Sequence, residues 1–338
     1  MPLPAMPMDD LLKATSRSFY LTLRILPAAV RPPISLAYLL ARTTDTIADT
    51  DLVPLELRLR ALADLRSRIM GAPSPALDFG ALAQNQASPA ERALLERCEK
   101  ALRLLDSFSG DDCQRIRDVL NTIISGQELD LKRFGAVHFP ELAALETDAE
   151  LDDYTWRVAG CVGEFWTRTC RAHLFPRAKV DDAALLRDGL RFGKGLQLVN
   201  ILRDIPADLR KGRCYIPRQA LAAAGLTPQD LLSAANEPRF RALYQTYLAQ
   251  AEAHLRAGWD YTNALPAGQC RLRLACAWPV LIGARTLGKL RGENVLDSTR
   301  RIKVPRPEVR AIIARSLLLC AWPSAWKAQF DREMGPRK

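Results

Sequence analysis

Oxygen-bearing side chains recur at every fourth residue in two separate stretches of the chain. Asp45 and Asp49 form the first stretch, and Asn200, Asp204 and Asp208 form the second. Residues four apart lie one turn apart on the same face of an α-helix. The spacing therefore predicts a stripe of oxygen atoms along each of two helices.

Such a stripe costs stability unless a positive group neutralises it, because like charges one turn apart repel each other. An isolated pair of acids is more often a solvated helix face, but Asp45 and Asp49 follow an apolar run, Ile34–Ala41, and are expected to border a cavity. In the second stretch Arg203 adds a donor suited to phosphate. Mg²⁺ prefers few carboxylates together with water and substrate phosphates. The residues therefore predict a site for magnesium and diphosphate.

The remaining pattern is helical, with abundant Leu, Ala and Arg and no strand-like alternation. We expect one all-α domain over residues 1–338, with 1–14 flexible and 71–88 a loop rich in Pro, Ala, Gly and Gln. Ser88 to Glu91 reads as a capping box, and Thr227 to Asp230 as another helix start. Because proline cannot donate a backbone hydrogen bond, Pro206 predicts that the second acidic helix ends or kinks near Ile205.

The net charge indicates which kinds of binding partner suit this protein, and its cysteines indicate the cellular compartment. The net charge of +10 suits an anionic partner, and the dispersed basic residues favour a phosphate-bearing small molecule or a membrane surface over nucleic acid. The eight cysteines show no zinc or Cys-x-x-Cys spacing, so we expect them to be reduced and mostly buried. Neither a signal peptide nor a membrane-spanning run is evident, which predicts a cytoplasmic protein with peripheral contact at the inner membrane surface as a further expectation. The apolar segment Ser316–Pro323 could touch a membrane, but packing in the core is the preferred explanation.

Four segments, in chain order, resemble the signatures of the squalene/phytoene synthase family. The first is Ser16-Arg17-Ser18-Phe19-Tyr20, and the others are Tyr38–Asp49, Tyr154–Gly163, and Leu196–Asp204 with Asp208 and the Gly212–Pro217 tail. The resemblance implies an all-α isoprenoid synthase fold, a single helical domain around a central cavity. It also implies Mg²⁺ ions that bridge the substrate diphosphates to Asp45, Asp49, Asn200, Asp204 and Asp208.

The activity implied by the resemblance is head-to-head condensation of two farnesyl diphosphates, through presqualene diphosphate, to squalene with NADPH as reductant. Asp45 to Asp49, Cys276 to Pro279 and the basic Arg301–Lys303 segment are similar to the squalene synthase pattern. Arg157 is closer to phytoene-type relatives, and Val280 departs from the squalene pattern. Alternatives therefore stay open: a phytoene or dehydrosqualene synthase, with geranylgeranyl diphosphate as a donor, a synthase that stops at presqualene diphosphate, or a non-catalytic lipid-binding relative. The oligomeric state is open as well.

The expected roles of individual residues follow from the developing charges. Arginines would stabilise the leaving diphosphate, and aromatic faces would shield the carbocation from water. The predicted catalytic residues are Tyr38, Tyr154, Arg42 and Arg203. The predicted substrate-binding residues are Ser16, Arg17, Phe19, Gln197, Arg213 and Tyr215. Arg301 and Lys303 are predicted to bind the NADPH phosphates.

Overall fold

The computed structural model describes residues 8–16, 19–73 and 75–335. Nearly all regular structure in them is helical, as expected from the sequence. Two strands of two residues each, β1 (Ala143–Ala144) and β2 (Arg213–Cys214), pair in parallel. The chain divides into two compact units, Met1–Gly135 with Arg168–Pro176 and Ala136–Thr167 with Arg177–Lys338. The prediction of a single domain stays a prediction.

The first unit is built on α3, which packs against α8 and α4. Two prolines in its first turn fit a helix start, and Ile34, Leu40 and Ile47 are buried along its inner face. The helices of this unit are α1 (Asp9–Thr15), α2 (Phe19–Ile25), α3 (Arg31–Asp49), α4 (Leu55–Ile69), α5 (Gly80–Gln84), α6 (Pro89–Glu96), α7 (Cys98–Leu105) and α8 (Gly110–Phe134).

The second unit is built on the pairing of α11 with α13, its most extensive helix–helix contact. Its helices are α9 (Asp148–Thr155), a π-helical turn (Trp156–Gly160), α10 (Cys161–Leu174), α11 (Asp182–Leu209), α12 (Arg218–Ala223), two 3₁₀ turns (Pro228–Leu232 and Ala234–Asn236), α13 (Glu237–Ala264), α14 (Cys270–Leu290), α15 (Arg306–Leu319), α16 (Pro323–Lys327) and α17 (Gln329–Met334). The last turns of α10, from Arg168, belong to the first unit.

Glycines on α10 and α11 let these helices approach at backbone distance. A Cβ atom added to Gly163 would lie 1.9 Å from the carbonyl oxygen of Gly189, and one added to Gly193 would lie 2.1 Å from that of Ala159. Such distances leave no room for any side chain. Gly163, Gly189 and Gly193 therefore serve helix packing.

Several local expectations are corrected by the structure. Residues 9–14, expected to be flexible, lie in α1, where Leu11 and Leu12 are buried, and residues 80–84 of the expected loop form α5. Ser88 caps α6 by accepting from the backbone of Glu91, but the Glu91 carboxylate pairs with Arg42 instead of completing a capping box. The helix start expected at Thr227 to Asp230 is the start of a 3₁₀ turn, and these two residues form a complete capping box there.

The expected end of the helix near Ile205 is wrong, because α11 continues through Pro206 to Leu209, and a kink there stays a prediction. Proline lacks the N–H that would bond the carbonyl four residues back, at Leu202. The buried hydroxyl of Tyr244, on α13, donates to that carbonyl at 3.1 Å. A partner from another helix thus replaces the missing backbone donor, and Asp208 lies on the same continuous helix as Asp204.

Candidate functional site

The first acidic stripe lies near the end of α3. Asp45 keeps 46% of its side-chain accessibility, and Asp49 is exposed. Thr44 and Ile47, which alternate with them, are buried and hold this part of α3 against its own unit. The helix therefore presents the two carboxylates to solvent from a fixed backbone.

The electrostatics of this stripe favour a cation. Burial raises the pKa of Asp45 to about 7, and the charge of Asp49 adds to the rise, whereas Arg42 and a hydrogen bond from Gln127 oppose it. The Asp45 carboxylate is therefore partly accessible to solvent, although many protein atoms surround it. A divalent cation bound to both acids would remove the repulsion between them.

Gln127 is a site residue that the sequence did not reveal. It lies on α8 with 7% of its surface exposed, and its Nε2 donates to Asp45 Oδ1 at 2.5 Å. Its own Oε1 is buried and accepts no hydrogen bond from the residues that the structure describes. The available signal was a polar residue among buried apolar ones, near Ile124 and Leu131.

Arg42, Phe19 and Tyr38 are further predicted site residues of the first unit. Arg42 lies 3.8 Å from Asp45 and is anchored by a salt bridge to Glu91 at 2.5 Å. The rings of Phe19 and Tyr38 are 5.3 Å apart, and the Tyr38 hydroxyl donates to the Thr15 carbonyl at 3.3 Å. These contacts fix both aromatic rings relative to α3.

The N-terminal signature is only partly described. Ser16 is 3% exposed, and its hydroxyl donates to the Leu12 carbonyl, so the group is already used within the backbone. Arg17 lies outside the described residues. The substrate-binding roles of both residues stay predictions.

The second acidic stripe runs along α11. Asn200 is exposed, and Asp204 and Asp208 are partly buried. Arg203 donates to both oxygens of Asp204, with Nε 2.9 Å from Oδ1, and Arg301 Nη2 lies 3.6 Å from the same Oδ1. Two guanidinium groups thus balance the charge of this one carboxylate.

The remaining predicted site residues of the second unit are two tyrosines and three polar or basic residues. The rings of Tyr154 and Tyr215 are stacked 5.0 Å apart, with their hydroxyl oxygens at 3.4 Å, and both are largely buried. Tyr154 stands just before the π-helical turn, a feature often found at functional sites. Gln197 and Arg213 are half-buried, and Lys303 is exposed.

The donor chemistry of the two stripes fits Mg²⁺. All the candidate ligands offer oxygen atoms, which is what this hard cation requires. Within residues 8–16, 19–73 and 75–335, no three carboxylate, histidine or cysteine side chains are placed to hold a metal by themselves.

Comparison with known proteins identifies the family. A family model described as squalene/phytoene synthase matches residues 12–308. A presqualene diphosphate synthase of Zymomonas mobilis is 31% identical over 255 residues, which cover 75% of this chain and 74% of that protein. One of Sinorhizobium fredii is 34% identical over 218 residues, 64% of each protein. A bifunctional lycopene cyclase/phytoene synthase of Colletotrichum graminicola is 27% identical over 90% of this chain, which spans 50% of that protein.

Solved structures share the fold. A complex of TcSQS with the ligand BPH1237 superposes with a TM-score of 0.76 at 22% identity, covering 98% of this chain and 91% of that one. A dehydrosqualene synthase in complex with a ligand superposes with a TM-score of 0.64 at 20% identity, covering 93% and 95%. The predicted all-α isoprenoid synthase fold is confirmed. Because the family model matches residues 12–308, which is most of the chain, the chain belongs to the squalene/phytoene synthase family.

Proposed function

We propose that this chain condenses two farnesyl diphosphates head-to-head and releases presqualene diphosphate. The observation that carries the proposal is the pair of oxygen-rich stripes, each with an arginine beside an aspartate. Arg42 lies 3.8 Å from Asp45, and Arg203 Nε lies 2.9 Å from Asp204 Oδ1. Carboxylates that can bind magnesium next to guanidinium groups that can bind phosphate suit a diphosphate leaving group.

The proposed chemistry begins when the C1–O bond of one donor breaks and its diphosphate leaves. Bound Mg²⁺ would neutralise the charge that develops on this group. In the first unit Arg42, and in the second unit Arg203 and Arg213, are the proposed groups that bind and orient diphosphate oxygens. The double bond of the second donor then attacks the allylic cation, and loss of one proton closes a cyclopropane ring that keeps the second diphosphate.

Aromatic residues protect the cation in this proposal. The Tyr154–Tyr215 stack and the Phe19–Tyr38 pair offer ring faces that attract positive charge and exclude water. The Tyr154 hydroxyl, which lies 3.4 Å from that of Tyr215, is the proposed group for relaying the lost proton. Gln197, one turn before the acidic stripe of α11, would line the substrate pocket.

Reduction to squalene with NADPH is the second candidate. The exposed basic segment around Arg301 and Lys303 favours it, because 71% of the Arg301 side chain is accessible to an anionic ligand. Arg301 also reaches Asp204 at 3.6 Å, which suits diphosphate binding equally well. Presqualene diphosphate is placed first because the Zymomonas and Sinorhizobium relatives carry that name.

Product identification tests the proposal. The full chain is incubated with Mg²⁺ and labelled farnesyl or geranylgeranyl diphosphate, with and without NADPH. We expect presqualene diphosphate from farnesyl diphosphate, unchanged by NADPH. Squalene that forms only with NADPH would establish the second candidate, phytoene from the longer donor would favour the phytoene alternative, and no product from either donor would refute a synthase.

Matched variants test the residues. Asp45→Asn and Asp204→Asn should each lower kcat/KM about a hundredfold or more, the usual loss when one electrostatic stabiliser of a transition state is removed. Asp188→Asn is the control, because Asp188 lies on α11 away from the stripe and pairs with Arg187 at 3.0 Å. Equal activity of Asp204→Asn and the control would refute the role of the second stripe.

A further inference from the structure

The outward side of α15 and the turn that follows it, up to Trp322, carry an apolar surface. Ala314, Leu317, Leu318, Ala321 and Trp322, which we call the α15 patch, are all exposed. Leu317 is 48% exposed, Leu318 69% and Trp322 60%. The preferred expectation of core packing for this segment is therefore wrong for its outer side. Ile312 and Ser316 on the other side of the helix are buried.

A helix with apolar residues on two opposite sides requires both sides to be buried against other groups. Packing against α14 covers the inner side of α15. Exposed large hydrophobic residues elsewhere in the described chain are scattered, whereas three of them fall here within six residues. Such clustering marks an interaction surface rather than ordinary surface composition.

Charge around the patch selects the kind of partner. From Val309 to Phe330 the sequence contains three cations and no acid, and Arg310 and Lys327 are exposed. The acids that flank this segment in sequence, Glu308, Asp331 and Glu333, are each paired with a cation of the protein. Glu308 binds Arg285 and Lys289, Asp331 accepts from Arg256, and Glu333 pairs with Arg315.

We propose that the α15 patch docks on an anionic lipid bilayer. Trp322 would enter the interfacial layer, where its apolar ring and polar N–H are both accommodated, and Leu317 and Leu318 would reach the acyl boundary. Arg310 and Lys327 would bind lipid phosphates. A second copy of the chain fits less well, because two such patches would bring like charges together.

The contact would be peripheral. Among the residues described, no helix combines the length and the hydropathy needed to cross a bilayer. The docking surface is independent of which product the enzyme makes. If the proposed function holds, the surface would also place the enzyme at the phase into which long prenyl chains partition.

The chain supplies its own reporter for this contact. Of its free cysteines, Cys270 and Cys320 are exposed, and Cys320 adjoins the patch. A polarity-sensitive fluorophore on Cys320 in a Cys270→Ser variant reports insertion. The control carries the fluorophore at position 232 in a Cys270→Ser/Cys320→Ser/Leu232→Cys variant, since Leu232 is also an exposed apolar residue.

The control site is distant from the patch within the same unit. Leu232 precedes the start of α13, whereas Trp326, just after the patch, donates to Asn263 at the other end of α13 at 2.9 Å. The 28 residues of α13 span about 42 Å. The two fluorophores therefore sample opposite ends of one helix.

The full chain is mixed with phosphatidylcholine vesicles that contain or lack phosphatidylglycerol. We expect a blue shift at Cys320 and none at position 232, and a larger bound fraction with phosphatidylglycerol. Leu318→Glu with Trp322→Glu should lower vesicle binding roughly tenfold or more, as expected when two apolar side chains are no longer buried. Because both side chains are exposed, the thermal midpoint of this variant should be unchanged.

Three results would overturn the proposal. The first is no shift at Cys320 with anionic vesicles. The second is an equal shift at both positions, which would indicate general adsorption of a basic protein. The third is a shift that grows with protein concentration in the absence of vesicles, which would show that a second copy covers the patch.

Discussion

Replacement of Tyr244 by phenylalanine should destabilise the protein through the carbonyl of Leu202. In α11 this carbonyl lacks its usual backbone donor because Pro206 has no N–H, and the Tyr244 hydroxyl, at 3.1 Å, takes its place. Tyr244 and Leu202 are both fully buried, so water cannot replace the lost donor. The ring contact with Phe240 is kept in the variant, so the hydroxyl alone is removed.

The expected cost is that of leaving one buried carbonyl without a partner, about 1 to 3 kcal/mol. For a chain of 338 residues, that loss lowers the thermal midpoint by roughly 1 to 2 °C per kcal/mol. The same substitution in a Pro206→Ala background should cost much less, because alanine, unlike proline, supplies a backbone N–H to the Leu202 carbonyl. The coupling energy between the two positions should therefore be about 1 to 2 kcal/mol.

Urea unfolding of the four proteins in this cycle measures the coupling. The wild type, the two single variants and the double variant are compared by their free energies of unfolding. If Tyr244→Phe costs the same with proline and with alanine at position 206, the explanation for the continuity of α11 is refuted.

Three further predictions concern packing, the first stripe and pH. Gly163→Ala should lower the free energy of unfolding by about 3 kcal/mol, because its Cβ meets helix backbone, whereas Gly110→Ala, whose Cβ meets nothing within 4 Å, should be neutral or stabilising; equal unfolding midpoints would contradict this. Gln127→Leu should raise the Mg²⁺ concentration for half-maximal turnover about tenfold, since it removes a hydrogen bond to charged Asp45 worth about 1.5 to 3 kcal/mol; an unchanged magnesium titration would exclude the role. Burial and two neighbouring cations lower the pKa of His254 to about 4, so that, as the pH falls from 6.5 to 4, the unfolded chain takes up a proton before the folded protein does and the free energy of unfolding decreases. His254→Gln should remove about 1 to 2 kcal/mol of that decrease. Identical pH profiles of the free energy of unfolding for the two proteins would refute this prediction.

Much of the fold and both stripes were predictable because the signals are local. A four-residue repeat fixes which side chains share a helix face, and this holds for Asp45 with Asp49 and for Asp204 with Asp208 whatever surrounds them. The cap at Ser88 is local in the same sense, since donor and acceptor lie within one turn. The burial of six of the eight cysteines also follows from their ordinary hydrophobic character.

Contacts between residues distant in sequence could not be predicted. Gln127 reaches Asp45 from 82 positions away, and Tyr244 reaches Leu202 from 42 positions away. A rule based on local sequence therefore breaks α11 at Pro206, because the donor that repairs it belongs to another helix. The expected capping box at Glu91 fails for the same reason, because the Glu91 carboxylate forms a salt bridge with Arg42, which is distant in sequence.

The outer side of α15 shows another limit. The sequence of Ser316–Pro323 is apolar on all sides, and composition cannot tell which side a neighbour covers. In the structure the packing against α14 covers one side only. An apolar run thus indicates that burial is needed but does not identify the partner.

The central claim is that each acidic stripe holds magnesium on a substrate diphosphate, and calorimetric binding of an analogue tests it most directly. The measurement titrates farnesyl thiolodiphosphate, which ionises poorly, into the full chain with and without Mg²⁺. We predict magnesium-dependent binding that Asp45→Asn and Asp204→Asn each weaken about tenfold or more while Asp188→Asn leaves it intact, because each lost carboxylate removes a charged ligand worth about 1.5 to 3 kcal/mol. Binding that is indifferent to magnesium, or that survives either substitution unchanged, would contradict the claim.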